Sequence, residues 1–598
     1  MPYRAPVEDV SFFLKHCTSL PHLIETGAVD LSFDLIDSVL EEAGKFAAQV
    51  IEPLDRVGDT KGNVLKDGAV TTAPGWREAY SAWTQAGWNS VAAEEKFGGQ
   101  HLPSVVTSAL NEFWNSASPA FGIGPVLTMG AIEALTTHGS TALQGLFLEK
   151  LVSGTWTGTM NLTESQAGSD LAALRARAER AGDRSYRIFG TKIFISYGEH
   201  DIAENIVHLV LARLPDAPAG TRGISLFVVP KVLVNADGTL GARNDVACVG
   251  LEHKLGLHGS PTCTMVFGDK GEGAVGYLVG EENRGLACMF TMMNNARLAV
   301  GIQGVAVAER ATQRAIAFAQ ERRQGKAQSW HGEGMSPIIA HPDVKRMLLT
   351  MRAETDAARA ICLMTADALD RARRTDDPIA KAAATAEASL LTPVAKAFST
   401  DMGIEVASTG IQVHGGMGYI EETGAAQHLR DARIFAIYEG TNGIQAIDLV
   451  TRKLPQEGGD VVAKLIADYR DVAEAVAALN APEFGRAGEQ LAAAVDALGR
   501  ATRVMLDWLS DEQSANVLAG ATPYLRLFAR AAGGAYLART ALAAHAAIAA
   551  GESDPRHARR VLVARFFAED LCPQALGLEA AVVSGGEAVL QSEAALVL

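Results

Sequence analysis

Residues 437–445 read Ile-Tyr-Glu-Gly-Thr-Asn-Gly-Ile-Gln and set one carboxylate, Glu439, between an aromatic residue and a glycine. Such a carboxylate can serve as a general base, because the neighbouring glycine lets a ligand approach the backbone. A solvated surface glutamate fits the same residues, so other segments must decide. Met160-Asn-Leu-Thr-Glu-Ser-Gln-Ala-Gly-Ser-Asp170 offers the hydroxyls of Thr163 and Ser169 and, at Gly168, exposed backbone N–H groups. These can meet the polar edge of a ring or an anionic phosphate, although Ser169-Asp170 also reads as a helix N-cap. In Lys192-Ile-Phe-Ile-Ser196, Phe194 can stack beside a planar ring and Ser196 can donate to it. Arg297, in Asn294-Asn-Ala-Arg297, is the sole charge from Leu286 to Ala308, so it either pairs inside the protein or binds a ligand. In Gln412-Val-His-Gly-Gly-Met-Gly-Tyr419, Gly415 and Gly416 permit close backbone approach, or simply turn the chain between two helices.

Elements of two kinds must position these groups. Residues 31–155 read as helical, with Leu35, Val39 and Leu40 at helix spacing. Between about 156 and 270, short runs rich in Val, Ile, Phe and Tyr (Tyr186–Ser196, Ile206–Ala212, Ile224–Val229, Thr262–Phe267) alternate with Gly, Pro and Asp, which predicts an antiparallel β-domain. Helical patterning returns from about 284 to 452, Pro455–Gly459 reads as a polar linker, and two apolar stripes beyond it predict further helices. The expected segmentation is 1–34 as an extension, 35–155 helical, 156–280 β, 281–453 a helical domain carrying Glu439, and 460–598 helical again. Strands and helices do not alternate, so a Rossmann fold is excluded. No GxGxxG follows a strand and no Walker A sequence occurs.

Composition narrows the function. The chain has 598 residues, 48% hydrophobic and 20% charged, so it is a multidomain globular protein. Its 53 basic and 69 acidic side chains give a net charge of −16, which argues against sequence-independent nucleic-acid binding. The six cysteines form no CxxC pair and read as buried, reduced thiols of a cytoplasmic protein, with no metal site expected. No signal peptide or membrane span is expected, and the Ala-rich stretch Ala531–Ala550 comes nearest to a span.

The order and spacing of these motifs, with Ala93-Glu-Glu-Lys-Phe-Gly-Gly99, His138-Gly-Ser140 and Leu151-Val-Ser-Gly-Thr-Trp156, resemble the acyl-CoA dehydrogenase family over about residues 35–450. The resemblance implies a mostly α protein with a helical domain, a middle β-barrel-like domain and a four-helix domain, here followed by a C-terminal helical extension. It implies FAD as cofactor and Glu439 as the catalytic base. Met160, Thr163, Gly168 and Ser169 would line the cofactor. Phe194 replaces the family's usual tryptophan, and Ser196 its threonine, against the flavin ring. Arg322, in Glu-Arg-Arg-Gln-Gly-Lys326, resembles the arginine that reaches a neighbouring subunit's FAD. Gln412, Gly415 and Gly416 would follow the ADP half, with Thr441 and Asn442 as further cofactor contacts. Ser169, Asn294, Arg297 and Gly440 would contact the acyl-CoA. Asn294 stands where the family often has aspartate, and Gly443 where it often has glutamine.

The implied reaction is α,β-dehydrogenation of an acyl-CoA to a trans-2-enoyl-CoA, with an electron-transfer flavoprotein as acceptor and a homodimer, or a dimer of dimers, as the assembly. The N-terminal segment and the 460–598 extension resemble the roughly 600-residue bacterial branch of the family, which includes an enzyme acting on 3-(methylthio)propanoyl-CoA beside less well-defined acyl-CoA dehydrogenases; that substrate is favoured, with short- to medium-chain fatty acyl-CoAs as the alternative. An acyl-CoA oxidase shares the fold and base. A flavin-containing stress protein with a nucleic-acid-binding tail would need a basic block that residues 460–598 lack, since acids intersperse their arginines. A helical protein without cofactor is the remaining contrast.

Overall fold

The computed structural model describes residues 2–182 and 185–597, apart from the side chains of Asn294 and Ala594. The chain forms two compact units. One comprises 45–103 and 117–299; the other gathers 1–44, 104–116 and 300–598.

Among the described residues, the 45–299 unit is built on the strands β1 (Val64–Lys66), β2 (Ala69–Thr71), β3 (Trp156–Asn161), β4 (Arg177–Arg180), β5 (Tyr186–Ser196), β6 (Asn205–Arg213), β7 (Ile224–Pro230), β8 (Val232–Val234), β9 (Leu240–Arg243), β10 (Val246–Leu251), β11 (Thr262–Phe267) and β12 (Ala274–Val279). The main sheet runs β10-β11-β5-β12-β7-β6-β3. Strand β4 pairs with both β5 and β6, which closes β5, β12, β7, β6 and β4 into a ring, the barrel-like closure expected of the middle domain. The predicted strands 186–196 and 262–267 carry those same bounds. The sheet is not purely antiparallel, as β3 runs parallel to β6 from Trp156↔Asn205 to Asn161↔Val210. Both strands are buried nearly throughout, the setting in which parallel pairing occurs.

Residues 31–155 are not wholly helical either. Strands β1 and β2 form a hairpin across Asp67-Gly68, both at positive φ (51° and 75°), as a tight two-residue turn requires. Helix Pro119–His138, rather than Ala531–Ala550, is long and apolar enough to cross a bilayer. Its apolar window is 78% buried inside the protein, as in a core helix.

The other unit is helical and joins distant parts of the chain. Helix Pro378–His414 starts with Asp377 as N-cap and Pro378 in its first turn, and it ends at Gly415 (φ 60°), which a side chain would strain. It crosses helix Gly285–Glu321 at glycine: a Cβ added to Gly304 would lie 2.4 Å from the Ser399 carbonyl oxygen. The stretch 455–459 is an ordered turn with Gly459 buried, not a free linker. Beyond it, helices Asp460–Leu479, Ala487–Ser510, Ser514–Ala549 and Pro555–Phe566 form the extension, and Ser514–Ala549 packs on helix Pro342–Arg373.

The N-terminal segment docks on this assembly. Tyr3 is 1% exposed, Gln313 bonds both the N–H and the carbonyl of Arg4, and Asp9 pairs with Arg559 and Arg560. This unit also holds a largely buried ionic cluster in which Arg359 contacts Glu112 (2.7 Å), Glu309 (2.6 Å) and Asp356 (2.5 Å), and Arg352 also reaches Glu309 (2.6 Å). Burial pushes the Glu112 carboxyl up. At Glu309 the two guanidiniums outweigh burial and hold the carboxyl far below its usual range. The described cysteines are all buried and free. Removing one member of such a cluster strands the others in an apolar interior. Arg359→Met is therefore expected to lower unfolding stability by about 3–5 kcal/mol, read as an earlier urea midpoint; an unchanged midpoint would show that the cluster carries no stability.

Candidate active site

Within the 45–299 unit, the structure gathers Met160, Thr163, Phe194 and Ser196. Met160 lies buried near the end of β3, and the chain then turns so that the Thr163 carbonyl accepts from Ile193 N–H at 2.9 Å. The Ser196 carbonyl accepts from Thr159 Oγ1 at 2.7 Å. Between these tethers β5 bulges: Lys192 pairs with Met265 and Ile195 with Cys263, so two residues oppose one. The bulge breaks the in-out alternation and turns Phe194 outward. Phe194 has φ 60° and is 58% exposed, a left-handed, solvent-facing aromatic inside a strand. Outliers of this kind gather at functional sites because the surroundings must enforce them.

Gly168 and Ser169 lie exposed on the following loop; a Cβ on Gly168 would meet nothing within 4 Å. Asp170 caps the short turn Leu171–Ala173 by accepting from Ala172 N–H, which leaves the Ser169 side chain out of the cap. An outward aromatic face, a half-buried threonine and an open glycine-serine loop suit an isoalloxazine edge and its phosphate tail.

A buried clamp missed by sequence reasoning holds this arrangement. Lys192 is 0% exposed and donates to the Leu162 carbonyl (3.0 Å) and to Glu164 Oε1 (2.8 Å). Glu164 also accepts from the backbone N–H groups of Arg175 and Ala176, at 2.8 and 2.9 Å. Burial pulls the Lys192 amine down to about 8 against the opposing pull of Glu164. For Glu164, burial raises the carboxyl, but Lys192 and the backbone donors outweigh it and leave it below its ordinary range. The signal available was a lone lysine in the apolar run Lys192–Ser196 with a glutamate on the facing loop.

In the other unit, Glu439 is half-buried in a turn between Arg433–Ala436 and helix Asn442–Asp448. It has φ 54° and Gly440 has φ 84°. For glutamate this backbone costs about 1–2 kcal/mol. Thr441 caps the helix, its oxygen accepting from Ile444 N–H at 3.3 Å. Tyr438 donates to Gln303 Oε1 and lies over Phe435, centroids 6.0 Å apart. Burial, and then the negative charge of Glu439, push the Tyr438 phenol well above its ordinary value, so it stays a donor. The Asn442 amide is fully engaged by helix Pro378–His414.

Gln412, Gly415 and Gly416 form an exposed turn at the end of that helix, and a Cβ on either glycine would meet nothing within 4 Å. His414 stacks on Phe318 at 4.4 Å, and the Phe318 carbonyl accepts from Arg322 N–H. The exposed Arg322 and the two glycines thus share one end of a helix pair. Arg297 is buried at 7% exposure, while the Asn294 side chain lies outside the described residues.

The depressed Glu164 carboxyl adds stability above the ordinary carboxylate range, and this is lost as pH falls through its lowered folded value. Glu164→Gln is expected to cost about 3 kcal/mol at pH 7. Its melting-temperature gap from wild type should narrow toward pH 3; a gap constant with pH would exclude the ionised pair as its origin.

Comparisons with known proteins agree with this layout. Residues 159–270 match the family described as acyl-CoA dehydrogenase, middle domain, and residues 283–454 the acyl-CoA dehydrogenase, C-terminal domain. Residues 464–593 match the acetyl-CoA dehydrogenase C-terminal-like family. The chain is 44% identical to 3-methylmercaptopropionyl-CoA dehydrogenase of Ruegeria pomeroyi, covering 99% of each. It is 32% identical to a broad-specificity linear acyl-CoA dehydrogenase of Mycobacterium tuberculosis over 96% of each. A solved acyl-CoA dehydrogenase from Bacillus anthracis, complexed with FAD, superposes with a TM-score of 0.70 at 20% identity, covering 98% of this chain and 93% of that one. With its fold, its domain matches and a full-length relative in agreement, the chain belongs to the acyl-CoA dehydrogenase family of FAD-dependent oxidoreductases.

Proposed function

We propose that the protein oxidises an acyl-CoA thioester to the trans-2-enoyl-CoA, with 3-(methylthio)propanoyl-CoA as its preferred substrate. The observation that carries the chemistry is the left-handed Glu439-Gly440 turn, which holds one carboxylate in a fixed pose beside a half-buried, protonated Tyr438. Glu439 removes the α-proton of the thioester. FAD, when bound, supplies the acceptor for the β-hydride. Thr163, Ser196 and the outward face of Phe194 hold the ring edge, with Met160 behind them and Gly168 and Ser169 along the phosphate tail. Gln412, Gly415 and Gly416, with Arg322, form an open surface suited to the nucleotide half of FAD from a second copy, which favours a homodimer. Thr441 keeps a hydroxyl proton for the cofactor while it caps its helix. Arg297, with Gly440, Ser169 and Asn294, is assigned to the acyl-CoA.

The substrate preference is supported by the full-length similarity to the Ruegeria enzyme. The Mycobacterium relative supports linear fatty acyl-CoAs as the second reading. An electron-transfer flavoprotein is the proposed electron acceptor, and the cytoplasm the proposed compartment.

Glu439→Gln tests the base. It should retain FAD with substrate-dependent flavin bleaching slowed by about 10²–10⁴-fold, and bleaching at the wild-type rate would overturn the assignment. For the substrate, kcat/KM for 3-(methylthio)propanoyl-CoA should exceed that for butanoyl-CoA by about tenfold, the scale of one well-fitted group in an apolar pocket. Equal values would favour the linear acyl reading, and peroxide formed under air in step with turnover would indicate an oxidase.

A further inference from the structure

The turn that carries Glu439 needs an external hold, because φ values of 54° and 84° at consecutive residues are not ones that a glutamate-containing turn keeps by itself. Two side-chain amides supply it. Gln445 Nε2 donates to the carbonyls of Glu439 (3.3 Å) and Gly440 (3.2 Å). Asn442 faces the other way. Its Nδ2 lies within donating distance of the Ala397 carbonyl (3.1 Å), Thr400 Oγ1 (3.0 Å) and Asp401 Oδ1 (2.7 Å). Its Oδ1 accepts from Lys396 Nζ at 2.9 Å and faces Thr400 Oγ1 at 3.2 Å. Every donor and acceptor of that amide is satisfied inside the protein, against a lysine that is 0% exposed.

The chain of contacts continues. The second carboxylate oxygen of Asp401 accepts from Arg526 Nη2 at 3.3 Å. Arg526 belongs to helix Ser514–Ala549 of the extension, which packs directly on helix Asn442–Asp448 and on helix Pro378–His414. The guanidinium is half-exposed, so the ion pair is weak by itself; the packed helices give it a fixed geometry.

We propose that Asn442 is a positioning residue for Glu439, anchored by Lys396 and Asp401, and that the C-terminal extension braces the catalytic turn through Arg526. The role of Asn442 is thereby mechanical, and the extension becomes part of the catalytic apparatus. This inference rests on Glu439 being the base. A displacement of a reacting group by about 1 Å costs up to 10²-fold in rate, so the brace should be visible in kinetics.

The test uses the full-length holoenzyme. In Asn442→Ala, the flavin reduction rate at saturating acyl-CoA should fall about tenfold or more, while the FAD dissociation constant and the substrate KM stay within about threefold. Arg526→Ala should lower the same rate about threefold, and Arg526→Lys should restore it to within about twofold, as a geometric brace predicts. Asp401→Asn keeps an acceptor oxygen for the Asn442 amide and should fall between wild type and Asn442→Ala, which keeps the test usable if Asn442→Ala folds poorly. A tenfold weaker FAD affinity with an unchanged reduction rate in Asn442→Ala would make Asn442 a cofactor contact and overturn the inference. An Arg526→Ala rate equal to wild type would overturn the role of the extension. Glu439→Gln, measured alongside, separates these outcomes: full reduction in that variant removes the base assignment itself, whatever the other variants do.

Discussion

The left-handed backbone at Glu439 is the constraint on which the helical unit is organised. A strained backbone persists only where its surroundings leave it no alternative. Here those surroundings are Gln445 on the carbonyl side, Asn442 locked to helix Pro378–His414, Tyr438 tied to Gln303, and Thr441 starting the next helix. Gln303 in turn donates to Asn115 at 3.1 Å, and Gly304, next in sequence, is where the helix comes closest to Ser399. One carboxylate is thus fixed by three helices, two of them meeting backbone to backbone. For Glu439 in the proposed role of base such fixity matters, because a misplacement of about 1 Å can cost up to 10²-fold in rate. The bulge at Phe194 applies the same principle on a sheet, where an extra residue and a positive φ expose an aromatic ring that strand alternation would not have exposed.

The two buried charge systems do different work. Lys192 and Glu164 are close in space and fix one loop to one strand, so they set local shape at a site. The Arg359 cluster joins Glu112, Glu309 and Asp356 from three separate helices, so it specifies which helices pack together. Neither is a cheap source of stability, since desolvation offsets much of the Coulomb attraction. Each makes one arrangement far better than its neighbours, because any other leaves a charge buried alone.

Much of this was legible in the sequence where the signal is local. Thr262–Phe267 and Tyr186–Ser196 are aliphatic and aromatic runs bounded by Gly, Pro and Ser, and they form strands over those residues. Strand β3, Trp156–Asn161, was missed because Thr-Gly-Thr-Met looks like neither an amphipathic strand nor a helix; it is a strand because buried neighbours pair with it. The Asp67-Gly68 hairpin carries a clear local turn signal within a stretch whose surroundings are helical. Glu439 becomes a candidate base in the sequence only when its own motif is read together with the upstream ones, whereas the lock on Asn442 depends on Lys396 and Asp401 lying beside it in the fold. No periodicity records a contact across 46 residues, or the pairing of Asp9 with Arg560 across 551.

That last pairing bears on how the chain comes into being. The helical unit is assembled from residues 1–44, 104–116 and 300–598, so its first segment leaves the ribosome long before its last. At about 5–20 residues per second, roughly 30–110 s separate the synthesis of Asp9 from that of Arg560, 551 residues later. Throughout that interval Phe12, Phe13 and Leu14, buried in the finished protein, are without the C-terminal helices that complete their surroundings. Residues 45–103 and 117–299 meet no such delay, because every partner within their unit has emerged once Ala299 is made. The interleaved helical unit therefore cannot be completed until the Arg560 region has been made, and for about a minute the newborn enzyme presents its amino-terminal apolar helix to whatever holdase is at hand.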